Sequence, residues 1–119
     1  MIDQRKKFGS RGENLAAAFL QGKGFRLIGQ NWRCALGEID LIMERDGDVR
    51  FVEVNTRQTT TYGYPEQAIT PTKLKHLARA IELWLRQSKM RPKRYQADAV
   101  AIQFSPQKEP EIRWIEGIF

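Results

Sequence analysis

The chain has few of the residues that thiol or zinc chemistry needs. Its 119 residues include one cysteine, Cys34, and one histidine, His76. A single cysteine excludes a disulfide within the chain, and one cysteine with one histidine falls short of the four-ligand set of a structural zinc site. His76 stands in a helical segment, where a histidine is more often a surface residue than a base. A zinc site and a Cys–His nucleophile are therefore disfavoured.

Long apolar runs and export signals are also absent from the sequence. The longest uninterrupted apolar run, Leu15–Leu20, is far shorter than the roughly 20 residues of a transmembrane helix. Met1–Lys7 is polar and basic, unlike a signal peptide, and no GxxxxGK phosphate loop or internal repeat occurs. A chain of this length with 41% hydrophobic and 29% charged residues predicts one compact, soluble, cytoplasmic domain without a membrane partner.

Positive charge is in excess. The formal net charge is +6 and the sequence pI is about 9.8, which favours a polyanion, nucleic acid above all, as partner. Plain solubility is the competing explanation. The cations concentrate in two stretches, Arg5, Lys6, Lys7 and Arg11 near the start and Arg86, Lys89, Arg91, Lys93 and Arg94 later.

The centre of the chain predicts a β-hairpin. Two apolar, β-branched runs, Ile39–Met43 and Val49–Val54, flank Asp46 and Gly47. Asp-Gly is a strong hairpin signal because such a two-residue turn needs positive φ. Counting outward from the turn then determines which residues face each other across the two strands.

In that register Asp40 lies opposite Glu53. Opposed residues on one face of an antiparallel pair have Cβ atoms about 4.5–5.5 Å apart, so two carboxylates meet within otherwise apolar strands. Like charges placed this way destabilise a sheet unless something offsets them. A divalent cation is the simplest candidate, and oxygen ligands favour Mg²⁺ or Mn²⁺ over zinc. The alternative is an ordinary solvent-facing strand, which Ile42 and Phe51 on the same face argue against.

The remaining pattern predicts an α/β fold. A flexible basic arm over residues 1–9 precedes a helix whose capping box is Ser10 and Glu13, and Thr70 with Pro71 begins a second helix. The predicted order is helix, strand, strand, strand, helix, strand, strand. A helix that leads from the third strand to the fourth indicates a crossover and hence a mixed sheet.

These residues carry a resemblance to a known family. Glu13 in a first helix, GEIDLI at Gly37–Ile42, FVEV at Phe51–Val54, and Arg57 resemble the YraN family of small bacterial proteins. That family is grouped with the PD-(D/E)XK nuclease superfamily and is similar to archaeal Holliday-junction resolvases. The resemblance runs from Gly9 to about Ile102. It implies a single-domain αβββαβ restriction-endonuclease-like core, with a mixed central sheet flanked by helices, that cleaves phosphodiesters in DNA, branched or structured DNA included.

The resemblance also implies roles for single residues. Asp40 and Glu53 match the metal-binding carboxylates of such nucleases, and the carbonyl of Val54 could add a ligand. Glu13 matches their helix-borne acid, although the capping box alone also accounts for it. A metal at this place polarises the phosphate and lowers the pKa of a bound water. The implied cofactor is Mg²⁺ or Mn²⁺.

Asn55 departs from the pattern of the nuclease superfamily, which has a lysine two residues after the second acid. Asparagine carries no positive charge, and an electrostatic stabiliser is often worth about 2.7–4 kcal/mol. The difference predicts a weak enzyme or a binder that no longer cuts. Lys73, near the start of the second helix, and Arg57, on the face of Glu53, are candidates to replace the lysine, with Lys73 slightly favoured.

Two more predictions concern Asp98 and the cations. Asp98 resembles an acidic residue that opens a late strand in the family, but a strand-end or turn aspartate is the preferred interpretation. The cations expected to contact nucleic acid are Arg11, Arg57, Lys73, Arg86, Lys89, Arg91, Lys93 and Arg94.

Three classes of function follow. The first is a metal-dependent DNA endonuclease, attenuated if Asn55 removes a needed charge. The second is a non-catalytic nucleic-acid-binding module on a nuclease scaffold, and the third is a protein-interaction domain with incidental basicity. Resolvases often work as dimers, so a homodimer is a further prediction of the resemblance, although no self-complementary apolar surface is evident in the sequence.

Overall fold

A computed structural model of the chain describes residues 4–58 and 63–119, with the backbone alone for residues 4–9. The elements in chain order are α1 (Gln4–Gln21), β1 (Arg26–Cys34), β2 (Gly37–Arg45), β3 (Asp48–Arg57), a 3₁₀ helix (Pro65–Ala68), α2 (Pro71–Gln87), β4 (Arg94–Gln103) and β5 (Glu111–Ile115). The predicted α/β class and αβββαβ core are confirmed.

The five strands form one mixed sheet in the order β1-β2-β3-β4-β5. Only β3 and β4 run parallel, and the other neighbours are antiparallel. Parallel strands need a crossover connection, which α2 provides. The strands have two ends, which we name by what lies there. The cleft end is where β3 and β4 end and β2 begins. The turn end holds the Asp46–Gly47 turn and the start of β4.

The central hairpin has the predicted register. Both turn residues have positive φ, 52° at Asp46 and 83° at Gly47, and Ile42 pairs with Phe51. The β2–β3 ladder ends with the pair Leu41 and Val52. Asp40 and Glu53 are therefore the next residues along, where the two strands cease to pair.

Two apolar layers cover the sheet. On one face Ala16 and Leu20 of α1 pack with Leu41, Val52 and Val100. On the other face α2 packs, with Leu77, Ala80 and Ile81 against Ile42, Val49 and Phe51. Each helix is thus held against the central strands, and this arrangement places both helices beside the end of the hairpin.

The start of α1 differs from the prediction. The helix begins at Gln4, so Ser10 lies inside it and the predicted capping box with Glu13 is wrong. The basic residues just before Ser10 extend the helix in place of a separate arm over residues 4–9, whereas residues 1–3 of the predicted arm lie outside the described residues. The start of α2 is as predicted, because the Thr70 side chain accepts a hydrogen bond from the Lys73 amide at 3.2 Å.

Within the described ranges, neither helix combines the length and apolar character that crossing a bilayer requires.

Candidate active site

Asp40 takes over a backbone role where β2 and β3 separate. Its Oδ2 accepts a hydrogen bond from the Val54 amide at 2.8 Å. This side-chain hydrogen bond replaces the next backbone hydrogen bond between β2 and β3. The N–H and C=O of one strand residue point to the same neighbouring strand. The Val54 carbonyl is therefore directed into the gap that Asp40 bridges.

Burial and mutual repulsion make Asp40 hard to ionise. Its pKa rises from 3.8 to about 7, first because of burial and then because of the negative charge of Glu53. The Val54 hydrogen bond opposes this rise, while Glu13 and Glu38 add to it. The gap is consequently a place of concentrated negative charge.

Glu53 has a similar environment with one difference. Burial raises its pKa, and the charge of Glu38 adds to the rise, but Lys73 acts in the opposite direction. Lys73 is exposed, so its charge is partly screened by solvent. A single screened cation leaves the excess of negative charge largely in place.

The packing of α2 on β2 brings Lys73 to this cleft. A Cβ at Gly37 would lie 2.9 Å from the carbonyl oxygen of His76, so the helix can approach the strand this closely only because residue 37 is glycine. The open cleft between them measures about 190 Å³ and is lined by Gly37, Glu38, Asp40, Glu53, Lys73, His76 and Leu77.

Of the two cations proposed to replace the superfamily lysine, the structure places Lys73 beside the carboxylates. Arg57 lies four residues beyond Glu53 on β3, and its guanidinium donates to the Thr56 carbonyl at 3.1 Å. His76 is exposed, as predicted, yet it lines the cleft. The spacing of three residues from Lys73 is the sequence signal that would have placed both on one helix face.

Glu13 approaches Asp40 from α1. Gly12 is buried against the Thr56 side chain, where a Cβ would collide, so α1 passes very close to β3. Glu13 is half-buried and raises the pKa of Asp40. The structure thus brings Glu13, Asp40 and Glu53 into one electrostatic cluster, as the family resemblance implies.

Asn55, at the lysine position, is buried. Its side chain is 6% exposed, and its Nδ2 has no hydrogen-bond partner among the described residues. An unpaired buried donor costs about 1–3 kcal/mol. Asn55 therefore neither supplies a charge to the cleft nor satisfies its own amide.

The donor set suits a hard divalent cation with incomplete protein coordination. Over the described ranges, no three His, Cys, Asp or Glu side chains form a group that could hold a metal. Mg²⁺ is commonly held by one or two carboxylates and keeps several waters. Asp40, Glu53 and the Val54 carbonyl fit that pattern, and the surplus negative charge favours a cation.

A second set of buried carboxylates, at the turn end, is fully compensated. Asp98 is 0% exposed and accepts hydrogen bonds from Arg50 Nη1 at 2.9 Å, Gln96 Nε2 at 2.8 Å, Trp114 Nε1 at 3.0 Å and the Gly117 amide at 2.9 Å. The interpretation of Asp98 as a strand-end or turn residue is wrong, because β4 begins at Arg94 and Asp98 lies within it.

Arg50 is the centre of that second set. Only 7% of its side chain is exposed, and it forms ion pairs with Asp48 at 3.0 Å, Asp98 at 2.9 Å and Glu116 at 2.9 Å. No sequence pattern pointed to this arginine, whose partners come from three strands or their ends. We infer a structural role, because every buried charge in the group has a partner.

The later basic stretch lies at the turn end, away from the cleft. The Lys93 amide donates to the Gly47 carbonyl at 2.8 Å, and Arg94 pairs with Asp48 at 3.2 Å. Arg86, which pairs with Glu82 at 2.8 Å, is roughly 20 Å from Lys73 along α2 at 1.5 Å per residue. Lys89 and Arg91 follow that helix, both exposed. Arg11 is elsewhere, stacked 4.7 Å from the centre of the Phe104 ring.

Comparison with known proteins gives one consistent result. A family model described as uncharacterised protein family UPF0102 matches residues 12–102. A UPF0102 protein of Mycolicibacterium gilvum (strain PYR-GCK) is 39% identical over 118 residues, covering 98% of this chain and 96% of its own. One of Leifsonia xyli subsp. xyli is 41% identical, covering 97% and 98%, and one of Neisseria meningitidis serogroup C is 42% identical, covering 94% of each. The matched range contains every residue of the cleft.

Proposed function

We propose that this chain, which belongs to the uncharacterised protein family UPF0102, the YraN family that the sequence resembles, is a metal-dependent endonuclease of DNA. The observation that carries the proposal is the gap between β2 and β3. There Asp40, with a pKa of about 7, and Glu53, with a raised pKa, lie half-buried together, and the negative charge of Glu53 adds to the rise at Asp40.

Mg²⁺ or Mn²⁺ is the proposed cofactor, held by Asp40, Glu53 and the Val54 carbonyl. When bound, it would polarise a phosphate oxygen and lower the pKa of a bound water. The proposal includes membership of the PD-(D/E)XK nuclease superfamily, a cytoplasmic location and a homodimer, each expected from the sequence.

Two residues of the cleft have roles besides holding the metal. The Val54 amide holds Asp40 in one orientation, which lowers the entropy cost of arranging the ligands. Lys73 lines the cleft next to Glu53 and is the cation that faces substrate in place of the superfamily lysine. Its ammonium donates hydrogen bonds to a phosphate oxygen, so it stabilises the charge that develops during cleavage.

The direct test is cleavage of four-way branched, single-stranded and duplex DNA with Mg²⁺, with Mn²⁺ and with EDTA. We expect cleavage with either metal, its loss in Asp40→Asn, and a fall of about two to three decades in Lys73→Gln. Glu82→Gln, an exposed carboxylate of α2, is the matched control and should cleave as the wild type does. A wild type that is inactive with both metals, and that gains nothing from Asn55→Lys, would contradict the proposal.

A second candidate function is a nucleic-acid-binding module without turnover, which the buried, uncharged Asn55 favours. This alternative predicts salt-dependent DNA binding that survives EDTA and is indifferent to Asp40→Asn. A fluorescence titration at several salt concentrations separates it from the nuclease. Absence of any DNA affinity at low salt would instead bring forward a protein-interaction domain.

A further inference from the structure

A second cleft opens between α1 and the connection from β4 to β5. It measures about 230 Å³ and is lined by Arg11, Gln58, Phe104, Ser105, Pro106, Lys108 and Pro110. Two of these side chains are cations and none is a carboxylate. An anion is therefore the class of ligand that this surface favours.

Arg11 is held in a defined orientation within this cleft. Its guanidinium lies 4.7 Å from the centre of the Phe104 ring, and Phe104 is itself 7% exposed. A guanidinium that stacks on a ring keeps its edge available for hydrogen bonding. Among the described residues no carboxylate forms an ion pair with Arg11.

Lys108 is positioned by a tight turn over residues 105–108. Its amide donates to the Ser105 carbonyl at 3.4 Å, with Pro106 second in the turn and Gln107 third at φ 59°. Proline followed by a residue of positive φ is the pattern of a type II turn, which prefers glycine in the third place. Such strain on a glutamine persists where the surroundings impose it and often accompanies function.

The predicted basic stretch at the turn end has a different character. The cleft there combines Arg45, Lys93 and Arg94 with Asp46 and Asp48, and Asp48 already pairs with Arg94. Its cations are thus partly neutralised by the protein, whereas no ion pair within residues 10–58 and 63–119 neutralises Arg11 or Lys108. Charge alone favours the Arg11 cleft for a phosphate.

The Arg11 cleft also lies at the cleft end of the sheet, where cleavage is proposed. Gln58 follows the last residue of β3 and is five positions after Glu53, so the separation along the strand is at most roughly 17 Å. One strand of a duplex covers that distance in about five nucleotides, at 3.4 Å per nucleotide. A single bound strand can therefore reach both places.

We propose that the Arg11 cleft binds a phosphodiester group of the nucleic-acid strand whose cleavage takes place at Asp40 and Glu53, an inference that rests on the proposed function. Arg11 contacts two phosphate oxygens with its guanidinium edge, and Lys108 supplies a point charge from the facing turn. This phosphate contact is independent of the base sequence. It fixes the position of the nucleic-acid strand relative to Asp40 and Glu53.

The test measures binding separately from cleavage. Fluorescence anisotropy of labelled single-stranded and branched DNA, in EDTA and over a series of salt concentrations, compares the wild type with Arg11→Gln/Lys108→Gln. The matched control is Lys23→Gln/Arg26→Gln, which removes the same charge at two exposed positions of the turn end. We expect the first variant to reduce the magnitude of the slope of log K against log salt by about 0.7–0.9, the loss of one phosphate contact, with a roughly tenfold loss of affinity at low salt.

The control variant should change the affinity less than twofold, and circular dichroism with thermal unfolding should show both variants folded. Equal losses in the two variants, or an unchanged slope in the Arg11 and Lys108 variant, would overturn the inference while metal-dependent cleavage leaves the proposed function standing. Conversely, if the Arg11 and Lys108 variant loses a phosphate contact but the wild type never cleaves DNA, phosphodiester binding at the Arg11 cleft is supported and the proposed nuclease activity is contradicted. Inorganic phosphate that saturates the wild type as readily as DNA would assign the cleft to a free anion and overturn the nucleic-acid assignment.

Discussion

The two ends of the central hairpin differ in how far nearby cations compensate the charge of their carboxylates. At the turn end, Asp48 and Asp98 surround the buried guanidinium of Arg50. At the cleft end, burial and neighbouring negative charge raise the pKa of Asp40 and Glu53, and the rise is opposed by the Val54 amide at Asp40 and by the exposed Lys73 at Glu53. Carboxylates of neighbouring strands are thus neutralised at the turn end and left in excess at the cleft end.

The pKa values express this difference. Burial alone would raise the pKa of Asp48, but the hydrogen bonds and charge of Arg50, with those of Arg94, bring it below its ordinary value. In the part of the chain that the structure describes, no such cation lowers the pKa of Asp40, which rises to about 7. Compensation by the protein indicates a structural site, whereas a carboxylate with a strongly raised pKa in a cleft is a candidate functional site, and this difference supports the proposed cation.

The largest expected effect is on the compensated end. Arg50→Met leaves Asp48 and Asp98 buried without their cation, and breaking a buried ion pair in this way costs about 3–5 kcal/mol. Urea unfolding at neutral pH measures the loss. Arg86→Met, which removes an exposed arginine paired with Glu82, should cost at most about 0.5 kcal/mol, and a similar small loss for Arg50→Met would contradict the comparison.

The opposite sign is expected at the cleft end. Asp40 has a folded pKa of about 7 against 3.8 when unfolded, so the folded chain binds the extra proton between these values and stability falls as the pH rises through them. Asp40→Asn, which keeps an oxygen for the Val54 amide, should be more stable than the wild type at pH 8 by about 2–4 kcal/mol. Urea unfolding from pH 8 towards pH 4 should show the advantage shrinking, whereas a constant difference, or a less stable variant at pH 8, would refute the account.

A divalent cation should relieve the same repulsion. A ligand of the folded state at ten times its Kd adds about 1.4 kcal/mol of stability. Thermal unfolding with and without Mg²⁺ should show this gain at pH 8, a smaller one at pH 5.5 because bound protons must leave, and none in Asp40→Asn. An equal gain in the variant would place the cation elsewhere.

The smallest expected effect concerns Lys73. Because this cation is exposed, Lys73→Gln should lower stability at pH 8 by less than about 1 kcal/mol, while the pKa of Glu53 rises further. The loss should disappear at low pH, where Glu53 is protonated. Comparison of unfolding at the two pH values checks this, with Lys75→Gln on the same helix as control, and a loss that persists at low pH would point to packing instead.

The hairpin and the meeting of Asp40 with Glu53 were predictable because both follow from short-range rules. The Asp46–Gly47 turn determines the register, and the register determines which carboxylates face each other. The start of α2 was equally local, since Thr70 caps it. Local patterns also predicted the order of the elements, and the family motifs added the expected αβββαβ core.

What remained hidden depends on contacts between distant segments. Arg50 is buried only because Asp98, 48 positions away, and Glu116, 66 positions away, converge on it. The choice of Lys73 over Arg57 required the close approach of α2 to Gly37. The early start of α1 at Gln4 shows that a good capping pattern at Ser10 does not exclude a longer helix.

The central claim is that Asp40 and Glu53 jointly hold one divalent cation. Titration of the protein with Mn²⁺, followed by electron paramagnetic resonance at pH 8, counts the bound ions directly in the wild type, Asp40→Asn, Glu53→Gln and the control Glu82→Gln. One ion per chain in the wild type and the control, and its loss in both site variants, is the predicted result. Binding that survives Asp40→Asn and Glu53→Gln, or no binding to the wild type, would contradict it.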